Sequence, residues 1–388
     1  LRLVERNPGF SQIACQAIAL TKDVFTSNFW QSCWKRLSLI EFRRHPMNVY
    51  FISEQNFSQF LSRMIKSEHV VGPTAKQNKF VFNKLETVDE LRLDYDVTLL
   101  PPKKEIFPVN QALVRFDDNK YEGCVDPQKK ILFGVHFYDA KAIDQLDTVF
   151  AHRNKDINYL ANRNAITLVI SNIQNVAPRA AWGTVGKEVQ PKGHDAWITK
   201  LANGYVFEIF TDKGDALMKF GSFESASQIQ IAEAGKLNEE IKEQCPESLE
   251  HSSEKIAEKV RNYFNKFEFW EAQAGKCFSC GTCNIVCPTC YCFDVQDKWN
   301  LDQKSGVRFR VWDACLTEDF SKISLGGGAE KNFRTTRGER FRHRIMRKTS
   351  YLNSVLGGPA CVGCGRCSTQ CTADIADPVR IVNKIMED

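Results

Sequence analysis

The stretch Cys277–Cys292, CFSCGTCNIVCPTCYC, places six of the chain's fifteen cysteines within sixteen residues. Its first part reads Cys277-x2-Cys280-x2-Cys283-x3-Cys287 followed by Pro288, and the pattern recurs as Cys361-x2-Cys364-x2-Cys367-x3-Cys371. This is the bacterial ferredoxin run that holds 4Fe-4S clusters. A cubane presents four iron corners. Three thiolates two residues apart wrap a tight loop around three of them, while the fourth faces away and is reached from elsewhere, in two-cluster ferredoxins from the other motif. The spacing predicts one cluster on Cys277, Cys280, Cys283 and Cys371, and a second on Cys361, Cys364, Cys367 and Cys287. Gly281, Gly363 and Gly365 let the backbone pass close to sulfur. The competing reading is a pair of zinc sites, but zinc needs only two CxxC pairs and uses neither the third cysteine nor the x3-Cys tail. Thr372 replaces the proline that follows the first motif's last cysteine.

The span from Cys287 to Cys361 is far longer than a compact bacterial ferredoxin uses. It holds Cys290, Cys292 and Cys315, which are candidates for a further metal site or for buried thiols shaping the clusters' surroundings. It also holds FRTTRGERFRHRIMRK, in which Arg334, Arg337, Arg340, Arg344 and Arg347 recur at three- and four-residue steps and draw a basic stripe along one helical face. That stripe fits a solvated face, a surface for an acidic partner, or a buffer for cluster charge. Nucleic-acid binding is disfavoured because no aromatic stacking motif accompanies it.

With 388 residues the chain can form two or three domains, each with an ordinary core that needs no disulfide staples. A hydrophobic share of 43%, a charged share of 26% and a net charge of +5 describe a globular protein with no strong pull towards nucleic acid. No apolar run reaches membrane-spanning length, and the N-terminus lacks a signal-peptide pattern, so a cytoplasmic, reducing location is expected. There a cysteine cluster binds metal more often than it forms disulfides.

Residues 1–46, ahead of the first methionine, Met47, show no sustained periodicity and read as an N-terminal extension that need not be native. From residue 47 to 221 the pattern is that of an α/β domain. Asn56–Lys66 has helical spacing, Ile131–Phe137 and Ile166–Ser171 read as buried strands with a helix between them, and Asp195–Leu201 with Tyr205–Phe210 flank an Asn203-Gly204 hairpin turn. Residues 222–275 form a helical connector, and 276–388 form a two-cluster ferredoxin-like domain expected to be mainly helical. The fold class is therefore an α+β or α/β N-terminal domain followed by that dicluster domain. There is no GxGxxG after a strand and no GxxxxGK[ST]. The seven histidines are expected at the surface or hydrogen-bonded, and Asp139, Asp144 and Asp147 lack the setting of a catalytic pair. No catalytic residue is assigned.

The stretches PPKKEIFP (101–108), GVHFYDAKAIDQLDTVF (134–150), CFSCGTCNIVCPTCYCFDVQD (277–297), RVWDAC (310–315) and CVGCGRC (361–367) together resemble the beta subunits of cytoplasmic NiFe sulfhydrogenases. They are also similar to the iron-sulfur subunit of anaerobic sulfite reductases, the alternative assignment. The resemblance spans about residues 47–388. It implies an iron-sulfur electron-transfer subunit beside a flavin- and NAD(P)-binding subunit that carries FAD, and a hydrogenase or reductase catalytic subunit. Members of the family usually carry a cysteine near residue 138 and a Cys-x-Cys near 180–184, where this chain has Tyr138 and RAAWGTVG. A reading of another class is a self-sufficient flavin-dependent oxidoreductase, against which the missing phosphate-binding loop argues.

Overall fold

The computed structural model describes residues 46–388; the N-terminal extension, with Cys15 and Cys33, lies outside the described residues. Ser53 ends strand β1 (Asn48–Ser53) and caps helix α1 (Glu54–Ser67) by accepting a hydrogen bond from the Asn56 backbone N–H. Phe57, Phe60, Leu61 and Met64 fall three or four residues apart, so one face of α1 is apolar and buried. Strands β2 (Val70–Lys76) and β3 (Lys79–Lys84) form a hairpin, and β4 (Asn110–Asp117) with β5 (Lys120–Gly123) forms another. Strand β6 (Lys130–His136) then runs through α2 (Phe137–Ala151) and α3 (Ile157–Ala165) to the parallel strand β7 (Ile166–Ser171). The hairpin β8 (Ala196–Leu201) to β9 (Gly204–Ile209) and the short β10 (Glu224–Ser225) complete an eight-stranded mixed sheet, in the order β10-β1-β9-β8-β7-β6-β2-β3.

Strands β6 and β7 are near-continuous apolar runs because helices cover both faces of this sheet. Successive side chains point to opposite sides. Phe133 and Val169 join Phe57, Phe60 and Met64 of α1 in one core, while Leu132, Leu168 and Ile170 join Ala140, Ile143 and Leu146 of α2 in the other.

Beyond the sheet, α4 (Gln228–Glu240), α5 (Ser253–Asn262) and α6 (Phe267–Ala274) lead to the first thiol motif and its short helix α7 (Thr282–Ile285). The dicluster region carries strands as well as helices. Strands β11 (Phe293–Trp299) and β12 (Ser305–Trp312) form a hairpin that extends β4–β5 into a four-stranded antiparallel sheet, and β13 (Lys322–Gly326) with β14 (Ala329–Asn332) makes a further hairpin. The expectation of a mainly helical region therefore needs this addition. The charged residues of β12 concealed it: Arg310, 2% exposed, lies over the rings of Phe107 and Phe293, donates to Gln111 Oε1 at 2.6 and 3.0 Å, and pairs with Asp156.

Helix α8 (Arg337–Thr349) follows, opened by a capping box of Thr336 and Glu339. The second motif holds α9 (Arg366–Thr369), and α10 (Pro378–Glu387) is capped by Asp377. Apolar side chains of α5, α6, α8 and α10, among them Val260, Trp270, Phe341, Ile345, Met346 and Ile385, form one core together with Cys283 and Cys367. Two buried histidines depart from expectation. His136 is stacked on Tyr95 at 3.8 Å and bonds the Tyr138 hydroxyl through Nδ1, whereas neither nitrogen of His194 finds a partner. Desolvation lowers the pKa of His194 to about 4.

Candidate metal centre

The two thiol loops share one backbone course. In the first, Ser279 (φ 55°) and Gly281 (φ 73°) precede α7; in the second, Gly363 (φ 66°) and Gly365 (φ 75°) precede α9. Left-handed residues at the third and fifth positions turn each loop so that its three cysteines face one side. The second loop also presses on the α/β domain: a Cβ on Gly363 would lie 2.6 Å from the backbone of Ala181 and Trp182, and one on Gly365 would lie 2.5 Å from the Arg179 carbonyl oxygen. Only glycine permits this approach.

A cavity of about 420 Å³ lies between the loops, and its walls include Cys361, Cys364, Cys367 and, from the first motif, Cys287. Cys277, Cys283 and Cys371 border the apolar core of the α5–α10 region, with Cys280 exposed at its rim beside Phe278, itself 70% exposed. Among the described residues no group of three or more His, Cys, Asp or Glu side chains closes on a single-ion site. The four thiols line a space instead. Burial raises the pKa of Cys283 to about 12 and that of Cys361 to about 11, so each is held as a neutral thiol until a cation draws off its proton.

Cys290, Cys292 and Cys315 gather around Asn284. Its Nδ2 donates to the sulfurs of Cys290 at 3.5 Å and Cys315 at 3.2 Å, while Cys290 is hydrogen-bonded to Cys287 and Cys292 to Cys315. The bond with Cys292 is the main reason that the Cys315 pKa falls to about 6.

Buried cations surround these thiols. Lys103, 2% exposed, donates to the carbonyl oxygens of Cys287, at 2.8 Å, and Cys290, and lies 4.3 Å from the Trp312 ring centroid. Burial lowers its pKa to about 8. Lys348 of α8 donates to Thr289 Oγ1 at 2.5 Å, and that hydroxyl donates to the Ala360 carbonyl at 2.7 Å, so the approaches to the two motifs are joined through one lysine. Burial pulls the Lys348 pKa down, yet the facing thiols Cys287 and Cys290 hold it above the ordinary lysine range. Arg366, inside the second motif, is wholly buried in a two-pronged ion pair with Asp139 of α2, at 2.6 and 2.7 Å, and also donates to the Thr98 backbone oxygen and hydroxyl.

The basic stripe is thus not a solvated face throughout. Arg340 and Arg344 are 3% and 1% exposed, Arg334 and Arg347 are half-buried, and Arg337 is exposed. Arg340 donates to the Arg334 and Thr335 carbonyls and to Ser279, and Arg347 lies over the Tyr291 ring. All three guanidinium nitrogens of Arg344 lack a hydrogen-bond partner. A buried cation without a partner is costly, and an anionic guest between the thiol loops is the chemistry that compensates it. The residues therefore fit a negatively charged cluster.

Sequence reasoning did not single out Lys103, Asn284, Lys348, Arg366 or Asp139 as parts of this centre. Lys103 and Arg366 lie within PPKKEIFP and CVGCGRC, but nothing local distinguishes a buried lysine from an exposed one. Where relatives carry extra cysteines, Tyr138 and Trp182 are buried and roughly coplanar, 6.2 Å apart, in one apolar cluster with Cys364. Cys245 adjoins them and accepts from the Gly183 backbone N–H at 3.3 Å.

Residues 276–375 match the family model described as a 4Fe-4S dicluster domain. Over 344 residues the chain is 29% identical to sulfhydrogenase 2 subunit beta of Pyrococcus furiosus, an alignment covering 88% of this chain and 99% of that protein. No solved structure matches it. Among the described residues no helix is long and apolar enough to cross a membrane.

Proposed function

We propose that this chain, a homologue of a sulfhydrogenase beta subunit that carries a 4Fe-4S dicluster domain, relays electrons between a flavin- and NAD(P)-binding subunit and a hydrogenase catalytic subunit. The observation that carries this reading is the cavity whose walls bring Cys287 of the first motif to Cys361, Cys364 and Cys367 of the second. That is the crosswise set a two-cluster ferredoxin requires. Cys277, Cys280, Cys283 and Cys371 would hold the other cluster. When bound, the clusters supply one-electron chemistry, with potentials set by charge, hydrogen bonds to sulfur and exposure.

The chain's own residues prepare that chemistry. Apolar walls exclude water, and the thiols, neutral when empty, give up protons on loading, so assembly is favoured by higher pH. Lys103 and Lys348 fix the backbone around Cys287 and supply positive charge. The exposed rim at Cys280 and Phe278 is the edge offered to a partner, while the second set lies beneath the loop that includes Arg179–Trp182. Cys290, Cys292 and Cys315 are read as thiols that shape the surroundings through Asn284.

Protein purified without oxygen should contain about eight irons and eight sulfides per chain, as two 4Fe-4S clusters demand. Paired substitutions test the crossing. Cys280→Ala with Cys371→Ala should remove one cluster, whereas Cys280→Ala with Cys287→Ala should remove both. The reverse pattern refutes the crosswise assignment, and zinc in place of iron refutes the whole reading.

A further inference from the structure

Helix α8 carries a run of buried cations whose reason for burial differs from one to the next. Arg340 is met by two backbone carbonyls and the Ser279 hydroxyl. Arg342 donates to the Phe264 carbonyl and lies over the rings of Phe264 and Phe267. Lys348 has Thr289 and the Ala360 carbonyl. Between them Arg344, at 1% exposure, has no acceptor for any nitrogen. It lines the same cavity as Cys287, Cys361, Cys364 and Cys367, and its own helix neighbour Ile345 shares a core with Cys283 of the other set. Asp377 is the carboxylate of that wall; its Oδ1 accepts from the Val379 and Arg380 backbone N–H groups, capping α10. The thiols of Cys283, Cys367, Cys287 and Cys290 all lie within electrostatic reach of the guanidinium.

Resting on the two-cluster reading, we infer that Arg344 is the cation shared by both thiol sets, its N–H groups serving the two bound clusters from between them and raising both reduction potentials. The physical reason is charge. Reduction adds one electron to a buried, already anionic group, and a fixed guanidinium nearby stabilises the reduced form more than the oxidised one. Arginine suits the position because its planar fork can direct donors to two sides and stays charged at any accessible pH. Arg344 is a positioning and tuning residue rather than a ligand.

The test uses the full chain, loaded and handled without oxygen, and reads midpoint potentials by redox titration followed by electron paramagnetic resonance. With iron and sulfide contents equal to wild type, Arg344→Met should lower the reduction equilibrium of both clusters at least tenfold, about 59 mV for one electron. Arg344→Lys, which keeps charge without the fork, should fall between. Unchanged midpoints in the fully loaded Met variant overturn the inference, and a fall at one cluster alone overturns the sharing. Should the Met variant fail to load, wild-type protein labelled with 15N-arginine decides. Pulsed resonance of the reduced state should show an arginine nitrogen coupling that Arg344→Lys removes, and its absence overturns the inference. A wild-type chain short of about eight irons would instead sink the two-cluster reading on which this rests.

Discussion

Removing the Asp139 carboxylate should cost more than any surface substitution, and the structure says how much. Both partners of the Asp139–Arg366 pair have side chains with no exposure, and two bonds of 2.6 and 2.7 Å join them. Asp139→Ala deletes both charge-assisted bonds and strands a guanidinium whose remaining acceptors are the Thr98 backbone oxygen and hydroxyl. Breaking a buried pair from one side typically costs about 3–5 kcal/mol, whereas replacing both partners by apolar groups is near neutral. Asp139→Ala should therefore lower the urea stability of the loaded protein by about 3–5 kcal/mol, and adding Arg366→Met should recover most of the loss. Because Arg366 stands between Cys364 and Cys367, the single variant should also release iron faster from one cluster. Anaerobic urea titrations at a common slope measure the first effect, and visible absorbance measures the second. A single-variant loss below about 1 kcal/mol, or a double variant no more stable than the single, would refute the reasoning, since the pair would then be behaving as an exposed one.

Other residues give sharper local tests. His194 has a folded-state pKa of about 4, below the ordinary value of 6.5, so the unfolded chain binds the proton first and stability is lost as pH falls from 6.5 towards 4. Between pH 7.5 and 5, His194→Phe should lose about 2 kcal/mol less stability than wild type, as measured by urea titration across that range. Gly235, inside α4, has open space where a Cβ would stand, so Gly235→Ala should gain about 0.5–1 kcal/mol in the same titration. Gly365→Ala should lose at least about 1–2 kcal/mol from its left-handed backbone and more from the clash with Arg179, with iron content falling alongside. Lys103→Met leaves the carbonyls of Cys287 and Cys290 without that donor, and a thermal melt should register a loss of about 1–3 kcal/mol.

Which of these features the sequence discloses depends on the range of the interaction that creates them. The thiol motifs are legible because three ligands of each set lie within seven residues and the chemistry fixes their spacing. The strands β6 and β7 are legible because burial on both faces leaves a continuous apolar run, and the β8–β9 turn because Asn203-Gly204 suits a tight hairpin. Strand β12 is different. Its buried positions include Gly306 and Arg310, so alternation points the wrong residues inward, and only the rings of Phe107 and Phe293 with Asp156 make that burial tolerable. The arginine stripe shows the same limit. Periodicity identifies a face, but Arg344 is turned inward against thiols that come from both motifs, and no local pattern carries that information. His194 sits in a Pro191-Lys192-Gly193 context that reads as an exposed loop, yet its ring meets Phe210 at 4.4 Å.

The sheet that joins β4–β5 to β11–β12 sets a timetable for synthesis. Gln111 and Arg310, which bond across it, are 199 residues apart in the chain. At translation rates of about 5–20 residues per second, β4 leaves the ribosome roughly 10–40 seconds before its partner exists. During that interval its free edge invites unwanted pairing, so production of this protein should improve when growth is cool and a holding chaperone is abundant.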